Sequence, residues 1–346
     1  RLPPHPPMRR SAATTLLLLA TAGHLAAQDG PAVDRVAVLG TPAATGDGVA
    51  EPSLRAVAPL GWSGALRIVL ASPGSVLDVG ALAALGDGWT KGHRWTPLHE
   101  QLDAPSVLGE PVPDAAAFLT GGIVTPDRPG TWQLESVEGD VLKVVTQIPA
   151  AEQRGASLNG YRIGIYPTSG SDRTDAYAPP RAFIEVTPGT TAVRISEHLY
   201  LGQFLTKDQF DVWPKYLALD LRLIDKLELV VQELNTMGVR AVRLHIMSGF
   251  RTPQYNGPGG DGRASLSRHM WGDAADVWVD NDFDGMMDDL NGDFRIDLDD
   301  AAVMMRAVER VERKYPELVG GAGTYPTAPT HGPYIHIDAR GERARW

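Results

Sequence analysis

The residues of this chain best suited to chemistry stand in two short stretches. One is Ser267-Arg268-His269-Met270-Trp271-Gly272-Asp273-Ala274-Ala275-Asp276, and the other, some sixty positions on, is Tyr334-Ile335-His336-Ile337-Asp338. Two histidines and an aspartate, His269, Asp276 and His336, make three N/O donors, the number a catalytic Zn²⁺ takes while leaving a fourth position open. An ion held in this way lowers the pKa of water toward ~7 and polarises a carbonyl, which is what amide hydrolysis requires. Small residues between His269 and Asp276, Gly272 and Ala274, let the chain turn so that both side chains reach one ion. Ile335 and Ile337 flank His336, which puts Tyr334 and His336 on one face of a strand.

Other hydrolytic chemistries fail on composition or spacing. The 346 residues include no cysteine, so disulfides, thiolate zinc ligands and a cysteine nucleophile are excluded. His99-Glu100-Gln101-Leu102-Asp103 lacks the second histidine of a zincin helix, Ser-x-x-Lys occurs nowhere, and Gly61-Trp62-Ser63-Gly64 is not a nucleophile elbow. The net charge is −10 without basic runs, which argues against nucleic acid or an anionic membrane as partner. Nearly all of that charge lies in Asp276–Asp300, where ten aspartates face one arginine.

The elements that must position these residues fall into two regions. Met8-Arg9-Arg10, the apolar Leu16–Ala22 and Leu25-Ala26-Ala27 predict an export signal over residues 1–27, with residues 1–7 upstream of the true start. The apolar core is too short for a membrane span, and none follows. The expected location is a periplasm or cell wall. Residues 31–167 read as β structure of a sandwich-like kind, with strands at Leu66–Leu70 and Val141–Val145 and a hairpin over Trp132–Ile148 turning at Glu138-Gly139-Asp140. Residues 168–194 read as a connector. Thereafter Pro214–Met237 shows helical spacing stopped by Gly238, and Ala241–Ser248 alternates as a strand that delivers Ser248-Gly249-Phe250-Arg251-Thr252 to a sheet edge.

Over 195–346 the chain resembles the zinc D-Ala-D-Ala carboxypeptidase family, the peptidases that share a fold with the Hedgehog signalling domain. Ser267, His269, Gly272, Ala274 and Asp276 match its S-x-H-x-x-G-x-A-x-D signature, Ser248-Gly249-Phe250-Arg251-Thr252 its S-G-[YF]-R-[ST] element, and Tyr334–Asp338 its final histidine segment. The resemblance implies an α+β fold with an antiparallel sheet and helices, preceded here by the all-β region. It also implies one Zn²⁺ on His269, Asp276 and His336, and cleavage of peptide bonds in peptidoglycan by a carboxypeptidase or endopeptidase. Arg251 would then stand by the substrate carbonyl or carboxylate, and Ser267 would buttress the site. Asp338 would either orient a ligand or form an exposed salt bridge to Arg340. Many members carry an acidic base three residues before the last histidine, where this chain has Pro333; His331 is the nearest replacement. Pro333 also leaves open a non-catalytic, metal-bearing cell-wall binding module.

Within the acidic segment, Asp289, Asn291, Asp293, Asp297 and Asp300 occupy oxygen-ligand positions of an EF-hand or dockerin-type loop, and predict Ca²⁺. Phe294 stands where glycine is usual. An upstream run, Asp280, Asp282 and Asp284, followed by Asp288, is expected to share that ion or add one. A helix with Val303, Ala307, Val308 and Val311 on one side should follow.

Overall fold

Among the described residues, alternating apolar residues and glycine turns make short strands the most numerous elements of this protein. The structure, a computed structural model, describes residues 53–56, 67–78, 92–98, 122–167, 177–257 and 263–346. The expected export signal and the His99–Asp103 stretch lie outside them. The architecture is mixed α/β, with several small sheets and few helices. Among the described residues, no helix is long and apolar enough to cross a membrane.

The first strands, β1 (Ser53–Ala56), β2 (Arg67–Ala71), β3 (Val76–Asp78), β4 (His93–Pro97), β5 (Gly122–Val124), β6 (Gly130–Ser136) and β7 (Val141–Thr146), make a five-stranded sheet of order β1-β2-β7-β6-β4 and a β3–β5 pair. The expected hairpin is β6–β7, and Gly139 turns it with φ 88°. Alternation along β6 and β7 sends Trp132, Leu134, Leu142 and Val144 into a small core with Leu77 of β3 and Ile123 of β5.

A larger core starts at Ile68 and Val145 and runs to Ile337. The stretch expected as a connector takes part in it. After β8 (Ile148–Pro149), β9 (Ser157–Leu158) and β10 (Tyr161–Arg162), the chain forms β11 (Ala182–Val186), which pairs with β8 on one side and β12 (Lys215–Leu217) on the other. Phe183, Ile184 and Val186 are buried there.

Helix α1 (Leu221–Thr236) begins later than the periodicity from Pro214 suggested. Residues 215–217 are drawn into β12, and the Asp220 carboxylate accepts the Arg222 N–H as N-cap. Gly238, with φ 81°, lies just beyond its end. Then come β13 (Leu244–Ser248), the one-turn α2 (Pro253–Asn256), a 3₁₀ turn at Arg268–Trp271, β14 (Ala274–Val279), α3 (Leu298–Lys314), β15 (Gly321–Tyr325), β16 (Tyr334–Asp338) and β17 (Ala344–Arg345). The sheet order is β13-β14-β16-β15-β17, antiparallel except for β15–β17. Helix α3 packs on α1, β15 and β16, burying Val303, Ala307, Val308 and Val311.

A fully buried lysine ties these layers together. Lys226 of α1 donates to Glu312 of α3 at 2.7 Å and to the Asp338 carbonyl at the end of β16 at 2.6 Å. Gly272, the glycine of the signature, ends the 3₁₀ turn at φ 74°, and a Cβ there would lie 2.2 Å from the Ala218 carbonyl oxygen. Gly272→Ala should therefore cost about 2–3 kcal/mol, from backbone strain and from prying the turn off Ala218. Urea unfolding of the full chain measures it, and a loss below about 0.5 kcal/mol would show that the contact is not tight.

Candidate metal centre

Strand pairing brings the candidate ligands together. In the β14–β16 ladder Asp276 lies directly opposite His336, so the two side chains rise from neighbouring positions on one face. The third comes from the 3₁₀ turn, where His269 is held by the chain reversal at Gly272. His269 Nε2 lies 3.2 Å from both Asp276 Oδ1 and His336 Nδ1, and His336 Nδ1 lies 2.9 Å from the same carboxylate oxygen. All three residues are buried.

The outer partners decide what the inner atoms are. His269 Nδ1 is 2.7 Å from the Gly249 carbonyl, which can only accept, so that nitrogen carries the ring proton and Nε2 turns a lone pair inward. A Cβ at Gly249 would meet the Phe204 backbone at 2.6 Å, so only glycine brings this carbonyl to its place. His336 Nε2 donates to Asp338 Oδ2 at 3.2 Å, which leaves Nδ1 facing Asp276 and His269. Asp338 is fully buried and also accepts from Arg340 Nε and the Gly321 N–H, so it holds the His336 ring while its ion pair to the half-buried Arg340 is not the exposed one expected.

Three acceptors within about 3 Å of each other repel unless a cation or proton lies among them. Four-coordinate zinc with bonds near ~2.0–2.1 Å has ligand–ligand edges of roughly 3.3 Å. The residues present therefore fit such an ion, as the donor set of a histidine–histidine–carboxylate centre.

Electrostatics follow the geometry. Burial holds His269 below the usual imidazole range in spite of Asp276, which keeps it neutral. Burial would also lower His336, but its bonds to Asp276 and Asp338 win and raise it to about 9. Burial opposes ionisation of Asp276 and Asp338 too; the histidines facing Asp276, and His336 with Arg340 at Asp338, keep both below the carboxylate range.

Arg251 lies beside the candidate ligands. Its Nε donates to Ser248 Oγ at 2.8 Å and its terminal nitrogen to Asp276 Oδ2 at 2.5 Å, so it orients the carboxylate while lining the cleft. A register shift between Ile246 and Ser248 brings Ser248 opposite Asp276. Ser267 starts the 3₁₀ turn, its carbonyl accepting the Met270 N–H, and also lines the cleft. His331 sits on the cleft wall, edge-on to Tyr334, and donates from Nδ1 to the Gly332 carbonyl at 2.7 Å. Its Nε2 is left as a proton acceptor.

The chain matches no family model, no curated protein and no solved structure. What the site can do is thus read from its own residues.

The cleft over these ligands encloses about 960 Å³. Its walls include residues that sequence spacing did not single out. Lys207 stands near Arg251 and Asp276, its ammonium lowered by partial burial and by the Arg251 charge. Tyr325 stacks on Tyr334 at 4.7 Å, and Trp346 donates to the Tyr325 hydroxyl while lying 5.3 Å from the His336 ring. Gly323, opposite His336, makes room for that indole. No local motif marks Lys207 or Trp346; only the fold brings them in.

In the acidic segment the side chains of the expected loop accept backbone N–H groups. Asp289 accepts N–H groups of Gly292, Asp293 and Phe294; Asn291 accepts that of Asp293, and Asp293 that of Arg295. Asp297 and Asp300 form the reciprocal cap of α3, and Asp300 also receives Leu290 and Asn291. Among the described residues no three of these carboxylates offer oxygens within 4.8 Å of one another. The upstream Asp280 and Asp282 do converge, with Asp288, whereas Asp284 turns back to the Met286 N–H.

A pH dependence follows from His336. Its raised pKa stabilises the metal-free protein fully below pH ~6.5, and that stability is lost as pH rises to about 9. A Zn²⁺ ion held by these three residues would displace that proton, so stabilisation by added zinc should grow over the same window. Melting temperatures with and without Zn²⁺ from pH 6 to 10 check this; a metal-induced shift independent of pH would contradict the proton-for-metal exchange.

Proposed function

We propose that this protein is an exported, zinc-dependent peptidase that hydrolyses D-amino-acid peptide bonds in peptidoglycan stem peptides or cross-links. The observation that carries the reading is the inward convergence of His269 Nε2, Asp276 Oδ1 and His336 Nδ1, with outer partners that fix each ring, at an open cleft. The motif order over 195–346 supports the D,D-peptidase-like α+β fold and the substrate class.

When bound, the ion supplies Lewis acidity toward a carbonyl and a lowered pKa for water. The chain's own groups do the rest. Arg251 offers a cation, fixed by Ser248 and Asp276, for the oxygen on which negative charge develops. Tyr334 is kept a phenol, since burial and the Asp276 charge push its pKa up, so it can donate a hydrogen bond across the cleft. His331 Nε2 can take the proton that Pro333 cannot. Pro333 is also the observation that favours the second reading, a wall-binding module that does not cut.

Wall fragments incubated with zinc-loaded protein distinguish the two. Wild type should release a D-amino acid or a shorter peptide, and His269→Ala should lose both bound zinc and product. His331→Gln should keep its zinc and lose roughly 10²–10⁴ in kcat. Absence of any product from zinc-loaded wild type would reject the peptidase reading and leave the binding module.

A further inference from the structure

Beyond the centre just described, one oxygen each from Asp280, Asp282 and Asp288 lies within 4.8 Å of the others. Acidic groups often gather on surfaces, but Asp280 is fully buried. Its Oδ2 is taken by Arg243 at 2.6 Å, with His245 Nδ1 at 3.5 Å. The other oxygen, Oδ1, is buried and has no hydrogen-bond partner. A buried carboxylate oxygen left so bears its full desolvation cost unless something from outside the chain binds it.

The remaining members are placed to complete such a site. Asp288 is half-buried and fixed by Asn281, whose side-chain amide donates at 2.6 Å. Burial together with the charges of Asp282 and Asp280 raises its pKa against the Asn281 bonds. Asp282 is exposed, with Oδ1 3.3 Å from the Asp284 N–H. The loop 289–300 differs, since among the described residues no three of its carboxylates gather within that distance.

We propose that Asp280, Asp282 and Asp288 bind a divalent cation of the hard class, Ca²⁺ in preference to Mg²⁺, with Asp280 Oδ1 as the inner ligand. All-oxygen donors select hard cations, and a set drawn from one irregular loop suits the variable coordination of Ca²⁺ better than the strict octahedron of Mg²⁺. The site does not depend on the peptidase reading. It does bear on the cleft, because Asp280 follows directly on β14 and the loop it opens packs the Met286 methyl against Gly332, where a Cβ would lie 2.7 Å from it. An ion joining residues 280 and 288 clamps the loop that supports the turn bearing His331.

Calorimetric titration of the chelator-stripped full chain with CaCl₂ tests this without any peptide substrate. Wild type should bind Ca²⁺, Asp282→Asn should weaken binding roughly tenfold or more, and Asp293→Asn should leave it unchanged. Asp282 is exposed, so its substitution spares the fold. The proposal is overturned if wild type gives neither heat nor a thermal shift at millimolar Ca²⁺, if Asp282→Asn binds as tightly as wild type, or if Asp293→Asn is weakened as much.

Discussion

Asp276 and His336 face each other across two hydrogen-bonded strands, and the rest of the candidate centre depends on that register. Side chains alternate along a strand, so a slip of one residue would send Asp276 to the opposite face and the triad would vanish. Register is secured by Ala275, Val277, Ile335 and Ile337, all buried on the other side of the same strands. Hydrophobic burial therefore does more here than stabilise: it sets the relative position of two ligands sixty residues apart in sequence.

Around this pair, each neighbouring element adds one constraint. Gly249 brings a carbonyl to His269, Gly272 turns the chain between His269 and Asp276, and Gly323 clears space beside His336 for Trp346. Lys226 joins both helices to the backbone of Asp338, which in turn steadies His336. Arginines are used in the same positioning manner: Arg251 on Asp276 and Arg340 on Asp338.

Much of the centre was legible in the sequence because its ligands lie in short motifs whose glycines have local causes. The helix α1 and strand β13 followed from periodicity, although α1 starts at Leu221 because β11 captures Lys215–Leu217, a long-range pairing that no local pattern reveals. Lys226 breaks the helical pattern outright, being fully buried where a charged residue should face water. Residues 289–300 illustrate the opposite limit. Aspartate spacing is the same whether or not the side chains gather, and here several oxygens accept backbone N–H groups while no three carboxylates come together among the described residues. The shared core of the early and late strands was not legible either, since it arises through β8, only two residues long, and through β11, which lies inside the stretch that read as a connector.

The outer bonds of the two histidines carry one more consequence. Because the Gly249 carbonyl and the Asp338 carboxylate hold the rings from behind, the inward nitrogens keep their aim whether a proton or an ion lies between them. Were an ion captured there, their reorganisation would be small, so exchange of one metal for another would be governed by the ions' own preferences and by competition with protons, with little contribution from refolding of the chain.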